Sequence, residues 1–125
     1  MCLKVNENFY TRKEAREHKP LTARKDIRVY KILDESNSSP YFYFLYEKGY
    51  HYTSNFSKNI ANHGRWHIKI NRGLHSFINY KDAINGKYDF MTPGYFKIVT
   101  MYIPKGSEYY LGDKGDIVSN NLVWY

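Results

Sequence analysis

The sequence predicts an α+β domain: a mostly antiparallel twisted sheet, or sheets, of about six to eight strands with two short helices. Three observations carry this expectation. Aromatic residues make up 18% of the chain, fourteen of them tyrosine, and tyrosine favours half-buried strand positions where the ring packs and the hydroxyl reaches water. Several short stretches alternate apolar and polar side chains with the period of a strand. Only two stretches carry a helix cap, which leaves the helices as accessories to the sheet.

At 125 residues and 15.0 kDa the chain is expected to form one domain, 1–125, with enough length for one modest core. Residues 1–25 read as a basic N-terminal segment whose short helix packs on the β-rich body. A short edge strand is expected around Leu3. Thr11 with Glu14 three residues on forms a capping box, and Pro20 limits the helix that follows. Residues 26–33, DIRVYKIL, set Ile27 and Val29 against Arg28 and Tyr30 and read as a strand. Residues 41–46, YFYFLY, read as a second strand with aromatics on both faces, and 50–53 as its continuation after a turn at Gly49. Residues 54–64 are polar and are expected to be irregular.

Residues 65–70, RWHIKI, alternate cleanly and predict another strand. Gly73 then permits a tight passage into the run Leu74-His75-Ser76-Phe77. Asn79, with Asp82 at the third helical position, predicts the start of a helix that Asn85-Gly86 should stop. The longest strand is expected over 95–103, closed by a turn at Pro104. A short strand at 108–111, a hairpin loop at 112–115 and a final strand pair over 116–125 complete the chain.

Composition bounds the function class. The longest apolar runs fall far short of a membrane span, and the first residues lack an apolar leader core, so a cytoplasmic location is expected. The single cysteine, Cys2, excludes an internal disulfide framework. Nineteen basic against twelve acidic residues give a net charge of +7 and a pI near 9.4, a balance that favours anionic partners. The excess is concentrated in 12–31, where eight lysines and arginines, Arg28 and Lys31 among them, face three acids. That stretch reads equally well as a solvated basic surface or as an interface for nucleic acid or another protein.

Chemical motifs are sparse. His63 and His67 have a helical ligand spacing but fall around Gly64 and a strand, so no metal site and no cofactor are expected. His75 and Ser76 are neighbours and point to opposite faces of a strand, which disfavours a nucleophile–base pair. Phosphate-binding glycine loops are absent. There remains a constellation of Arg28, Tyr41, Arg65, His67, His75, Ser76, Tyr109 and Asn120, with Ser119 and Asn121 beside it. Guanidinium groups suit phosphate oxygens and tyrosine rings suit bases, so convergence of these side chains would make a nucleotide-sized site. The same residues admit a structural reading, with Asn120-Asn121 a bulge or turn and His75 a satisfied, half-buried histidine.

The segments TARKDIRVYKIL, SPY, GLHSF and IPKGSEYYLGDKGDIVSNNL resemble a family of small phage and prophage proteins to which no activity is attached. More distantly, Arg28 on an early strand, Ser76 on a strand leading to a helix and Asp116 on a late strand are similar to the ADP-ribosyltransferase fold, in which a glutamate occupies the last place. That resemblance implies an Arg28–Ser76–Asp116 catalytic set, weakened by the shorter carboxylate. The expected function is therefore a non-catalytic phage-type binding protein. It would sequester an anionic nucleotide-like molecule, such as a cyclic-nucleotide or NAD-derived defence signal, in a basic, aromatic-lined pocket shared across a homo-oligomer. The enzymatic reading and a nucleic-acid or host-protein binder are the alternatives.

Overall fold

A computed structural model describes residues 3–4, 19–39, 44–62, 66–87 and 96–125. The helix expected after Thr11, and the candidate residues Tyr41 and Arg65, lie outside them. Within them the fold is α+β and mostly antiparallel. The elements in chain order are β1 (Leu3–Lys4), β2 (Leu21–Thr22), β3 (Ile27–Asp34), β4 (Tyr50–Thr53), β5 (Ser57–Asn62), β6 (Trp66–Arg72), β7 (Leu74–Phe77), α1 (Tyr80–Lys87), β8 (Phe96–Ile103), β9 (Glu108–Leu111), β10 (Asp116–Ser119) and β11 (Asn121–Trp124). No described helix is long and apolar enough to cross a membrane.

Eight strands form one sheet in the order β2-β9-β10-β7-β3-β8-β11-β4, and β1-β6-β5 form a second. Strands β3 and β8 pair along their full lengths, from Ile27↔Ile103 to Asp34↔Phe96, whereas β3 meets β7 only at Tyr30↔Phe77. The large sheet thus has two halves joined by a short seam. It curls on itself, because Ala23, just beyond β2, and Leu122 of β11 belong to one continuous core with Val29, Leu33, Leu74, Met101, Ile103 and Ile117. The small sheet covers the outside of β9 and β10, where Leu3 and Ile70 pack with Tyr110 and Val118. Helix α1 covers the outside of the seam, packing Ala83 with Ile32 and Phe77.

The chain crosses between the halves at Asn120. Strand β10 pairs with β7 and β9, and β11 pairs with β8 and β4, so the two are consecutive in sequence without pairing each other. The expected terminal strand pair is instead one extended segment bent between two half-sheets. Asn120 fastens the bend. Its N–H donates to Glu108 O at 3.1 Å and its carbonyl accepts from Ser54 N at 3.0 Å. Its Oδ1 accepts from Glu108 N and from Asn121 Nδ2, both at 2.9 Å.

Three further expectations are revised. Residues 57–62 form a strand, because pairing with β6 supplies the order that their polar composition does not. Within the segment expected as a second strand, Phe44–Tyr46 make a single bridge, Ser38↔Leu45, and Tyr46 N donates to Asn37 O. Helix α1 continues through Asn85-Gly86, where the glycine serves packing: a Cβ there would stand 2.6 Å from Phe77 Cζ.

Gly73 is needed for both of its properties. Its φ of +149° suits glycine alone, and a Cβ would collide with the Val118 side chain and sit 3.1 Å from the Phe56 ring. Gly73→Ala should therefore destabilise the fold by roughly 2–4 kcal/mol, from strain plus overpacking. Equilibrium urea unfolding followed by tryptophan fluorescence measures this, and an unchanged midpoint would contradict the tight junction between β6, β7 and β10.

Candidate functional site

Strand alternation decides which side chains reach the core and which reach the outside. On β3, Ile27, Val29, Lys31 and Leu33 face inward, and Arg28, Tyr30, Ile32 and Asp34 face outward, as their core memberships and exposures require. On β7, Leu74 and Ser76 point inward and His75 and Phe77 outward. On β9 and β10 the inward residues include Tyr109, Ile117 and Ser119, and the outward ones Tyr110, Asp116 and Val118.

The sequence-derived residues therefore divide. Ser76 and Tyr109 belong to the inner face, and Arg28, His75 and Asp116 to the outer. Val118 is the register partner of His75 on the part of the sheet covered by β1 and β6. His67 lies on β6 in the small sheet. Asn120 spends its side-chain oxygen on the bend, and Ser119 Oγ donates to Asn121 O at 2.9 Å.

One candidate, Arg28, sits among tyrosines. Its guanidinium is exposed and its pKa is raised by hydrogen bonding to Tyr102 and then Tyr30, which flank it. Tyr102 is its register partner on β8. Each flanking ring carries a second one: Tyr80 stands edge-on to Tyr30 at 5.6 Å between centroids, and Tyr125 lies 5.5 Å from Tyr102. Tyr80 and Tyr125 are 53% and 65% exposed, so aromatic surface is available on either side of the cation. Beyond Tyr102, the same face continues through Asn121 and Val123 to His51, whose Nε2 is 2.9 Å from Asn121 Oδ1. Sequence reasoning found Arg28 but missed Tyr30, Tyr80, Tyr102 and Tyr125. The signal was the β3–β8 register, which places position 102 opposite position 28 and which no single strand reveals.

A second polar group lies on the opposite face of the same strand. Lys31 is buried between Val29 and Leu33 in the core-facing phase. Its Nζ donates to His75 O and lies 5.2 Å from the centroid of the Tyr46 ring. Burial alone lowers its pKa to about 8, and burial pushes the Tyr46 hydroxyl well above its ordinary value. The signal in the sequence was a lysine in the apolar phase of an otherwise apolar strand face.

Asp116 is buried beside Gly112, where a Cβ would collide with its Oδ1, and that oxygen accepts from Lys114 N at 3.2 Å. Burial raises its pKa, opposed by the backbone N–H groups of Lys114 and Asp116. Among the described residues, no group of three or more histidine, cysteine, aspartate or glutamate side chains could hold a metal ion. Comparison of the chain with family models, curated proteins and solved structures yields no match.

Two pH predictions arise from these groups. Lys31 loses its proton near pH 8 in the folded chain and near 10.5 in the unfolded one, so its burial penalty is complete below pH 8 and disappears as pH rises through 10.5. Lys31→Met should raise stability at pH 7 by roughly 2–3 kcal/mol, with the advantage shrinking between pH 8 and 10.5 in urea titrations. An advantage independent of pH would show that the gain comes from packing and not from the charge. For Asp116 the folded value is the higher one, so the carboxyl contributes most below the ordinary carboxylate pKa and less as pH rises through the folded value. Asp116→Asn keeps the acceptor for Lys114 N and should raise the urea midpoint at pH 7 while leaving it unchanged below about pH 4.

Proposed function

We propose that the protein is a non-catalytic binding protein that holds an anionic, nucleotide-like small molecule on the Arg28–tyrosine face. The observation that carries this reading is the exposed Arg28 guanidinium beside Tyr102, its register partner, and Tyr30, with further exposed rings against both. A guanidinium held this way offers paired N–H donors to a phosphate. The rings offer π-faces to planar bases, at about 1–3 kcal/mol for each stacked base. The net charge of +7 draws an anion toward the whole molecule and speeds encounter.

The biological form of this reading is sequestration of a cyclic-nucleotide or NAD-derived signal by mass action, for which the resemblance to phage proteins is the support. An open sheet face covers one side of a planar ligand. A second copy of the chain would close the other, which makes a homo-oligomer the fitting assembly.

The ADP-ribosyltransferase-like reading ranks below this one. It asks Arg28, Ser76 and Asp116 to serve one reaction, and strand alternation turns Ser76 to the core while the other two face outward. Release of nicotinamide from NAD by the protein would reverse that ranking. Binding of nucleic acid through the basic 12–31 segment is distinguished by a steep loss of affinity with salt.

Isothermal titration against cyclic dinucleotides, NAD and mononucleotides tests the proposal directly. Arg28→Ala should weaken binding at least about tenfold, the loss expected for a charge-assisted hydrogen bond. Tyr102→Phe should weaken it less, by freeing the guanidinium from one of its two orienting hydroxyls. Lys105→Ala, on an exposed turn, should leave it unchanged. Equal losses from Arg28→Ala and Lys105→Ala would reduce the effect to net charge and overturn the assignment of the face.

A further inference from the structure

The inner face of β3 carries a feature that the Arg28 surface does not use. Lys31 and Ser76 are each more than nine-tenths buried. The Tyr30↔Phe77 pair sets β3 against β7, so Lys31 and Ser76 are the next positions along the two antiparallel strands and share the core-facing side. Ser76 Oγ has no hydrogen-bond partner among the described residues. Among the described residues, the titratable groups against Lys31 are Tyr46, which presents its ring, and His75, which presents its backbone carbonyl. No neighbouring carboxylate contributes to the behaviour of Lys31 among the described residues.

This arrangement is unusual on physical grounds. Buried charges are normally paired, and buried hydroxyls normally bonded, because each unmade interaction costs free energy. An ammonium has three N–H donors. One is taken by His75 O and the positive charge is partly met by the Tyr46 ring. The ammonium keeps further donor capacity, and the Ser76 hydroxyl, at the next position of β7, is another donor.

We propose that Lys31 and Ser76 form a buried site for one compact monovalent oxyanion of the carboxylate type. A single negative charge neutralises the single cation. Two oxygens on one carbon can accept from Nζ and from Oγ separately, satisfying both groups. A phosphate ester or nucleotide brings more charge than one ammonium neutralises, so this site is distinct in chemistry from the Arg28 face and stands or falls independently of it. Anion uptake requires the core to open briefly, and the ladder between β3 and β7, with its one register pair, is the shortest path for that opening along β3.

Formate is the probe. The protein, labelled at the lysine Cε and Nζ positions, is titrated by NMR in sodium gluconate, whose anion is too bulky to enter. The titration is then repeated with sodium formate replacing gluconate at constant ionic strength. The Lys31 resonance, identified by its absence in Lys31→Met, should shift its titration midpoint upward by about one pH unit at saturating formate, a tenfold preference of the anion for the charged amine. Exposed lysines such as Lys105 should not move. Ser76→Ala should fold, since it removes an unbonded hydroxyl, and should weaken formate binding about tenfold; it also identifies the Lys31 signal if Lys31→Met does not fold. A Lys31 midpoint indifferent to formate would mean that the pair holds only water and would overturn the proposal. So would an equal shift at exposed lysines, or an undiminished response in Ser76→Ala.

Discussion

The bend at Asn120 is the constraint on which the two-faced sheet depends. Strand β10 sends Ile117 and Ser119 inward, while β11 sends Leu122 and Trp124 inward. Inward positions are odd before the bend and even after it, so one extra residue has been inserted. That change of phase is what a bulge does to a strand, and it lets one segment serve two half-sheets without turning its apolar side chains outward. Orthogonal packings make corners the same way. A bend in the interior leaves backbone groups without ladder partners, and here Glu108 and Ser54 take them, with the Asn120 side chain adding a second bond to Glu108. Without that insertion, Leu122 or Ile117 would turn away from the inner face, and the core shared by both halves would be lost.

Once the phase of each strand is set, the positions of the polar groups follow. The outward half near β11 and β4 carries no covering helix among the described residues, which leaves Arg28, Tyr102 and Tyr125 accessible. The outward seam is covered by α1, and the outward half near β9 is covered by β1 and β6. Coverage thus distinguishes Arg28 from His75 although both point outward. A reading that treats one side of a sheet as a single environment misses this difference.

Much of the local structure was legible in the sequence because it is set by neighbours in the chain. The alternation in DIRVYKIL and the run ending at Ile103 located β3 and β8 to within a residue, and Asn79 with Asp82 marked the start of α1, where Asn79 Nδ2 lies 3.3 Å from Asp82 Oδ2. What was not legible depends on partners distant in the chain. The strand at 57–62 has little apolar pattern of its own and is defined by β6. Gly86 looked like a helix stop because the Phe77 ring that requires it is on another element. For the candidate site, Arg28 was visible as an arginine among tyrosines. The tyrosines that flank it come from β8, α1 and the C-terminal residue, and only the register between strands brings them to it.

Strand β3 carries two cations three positions apart, and their surroundings assign them opposite work. Arg28 stays in water, where its charge costs nothing and its hydroxyl neighbours only fix its direction; a guanidinium so placed can receive a ligand and release it. Lys31 is held in the core, where desolvation has already weakened its charge; an ammonium so placed gains most from whatever anion joins it, because the interaction is made at low dielectric. Methionine and alanine in place of the lysine and the serine would remove a desolvated charge and an unbonded hydroxyl from the core. Their presence in the core of a small protein is therefore a cost in stability, and a cost of that kind is explained most simply when the polar pair does something that an apolar pair would not.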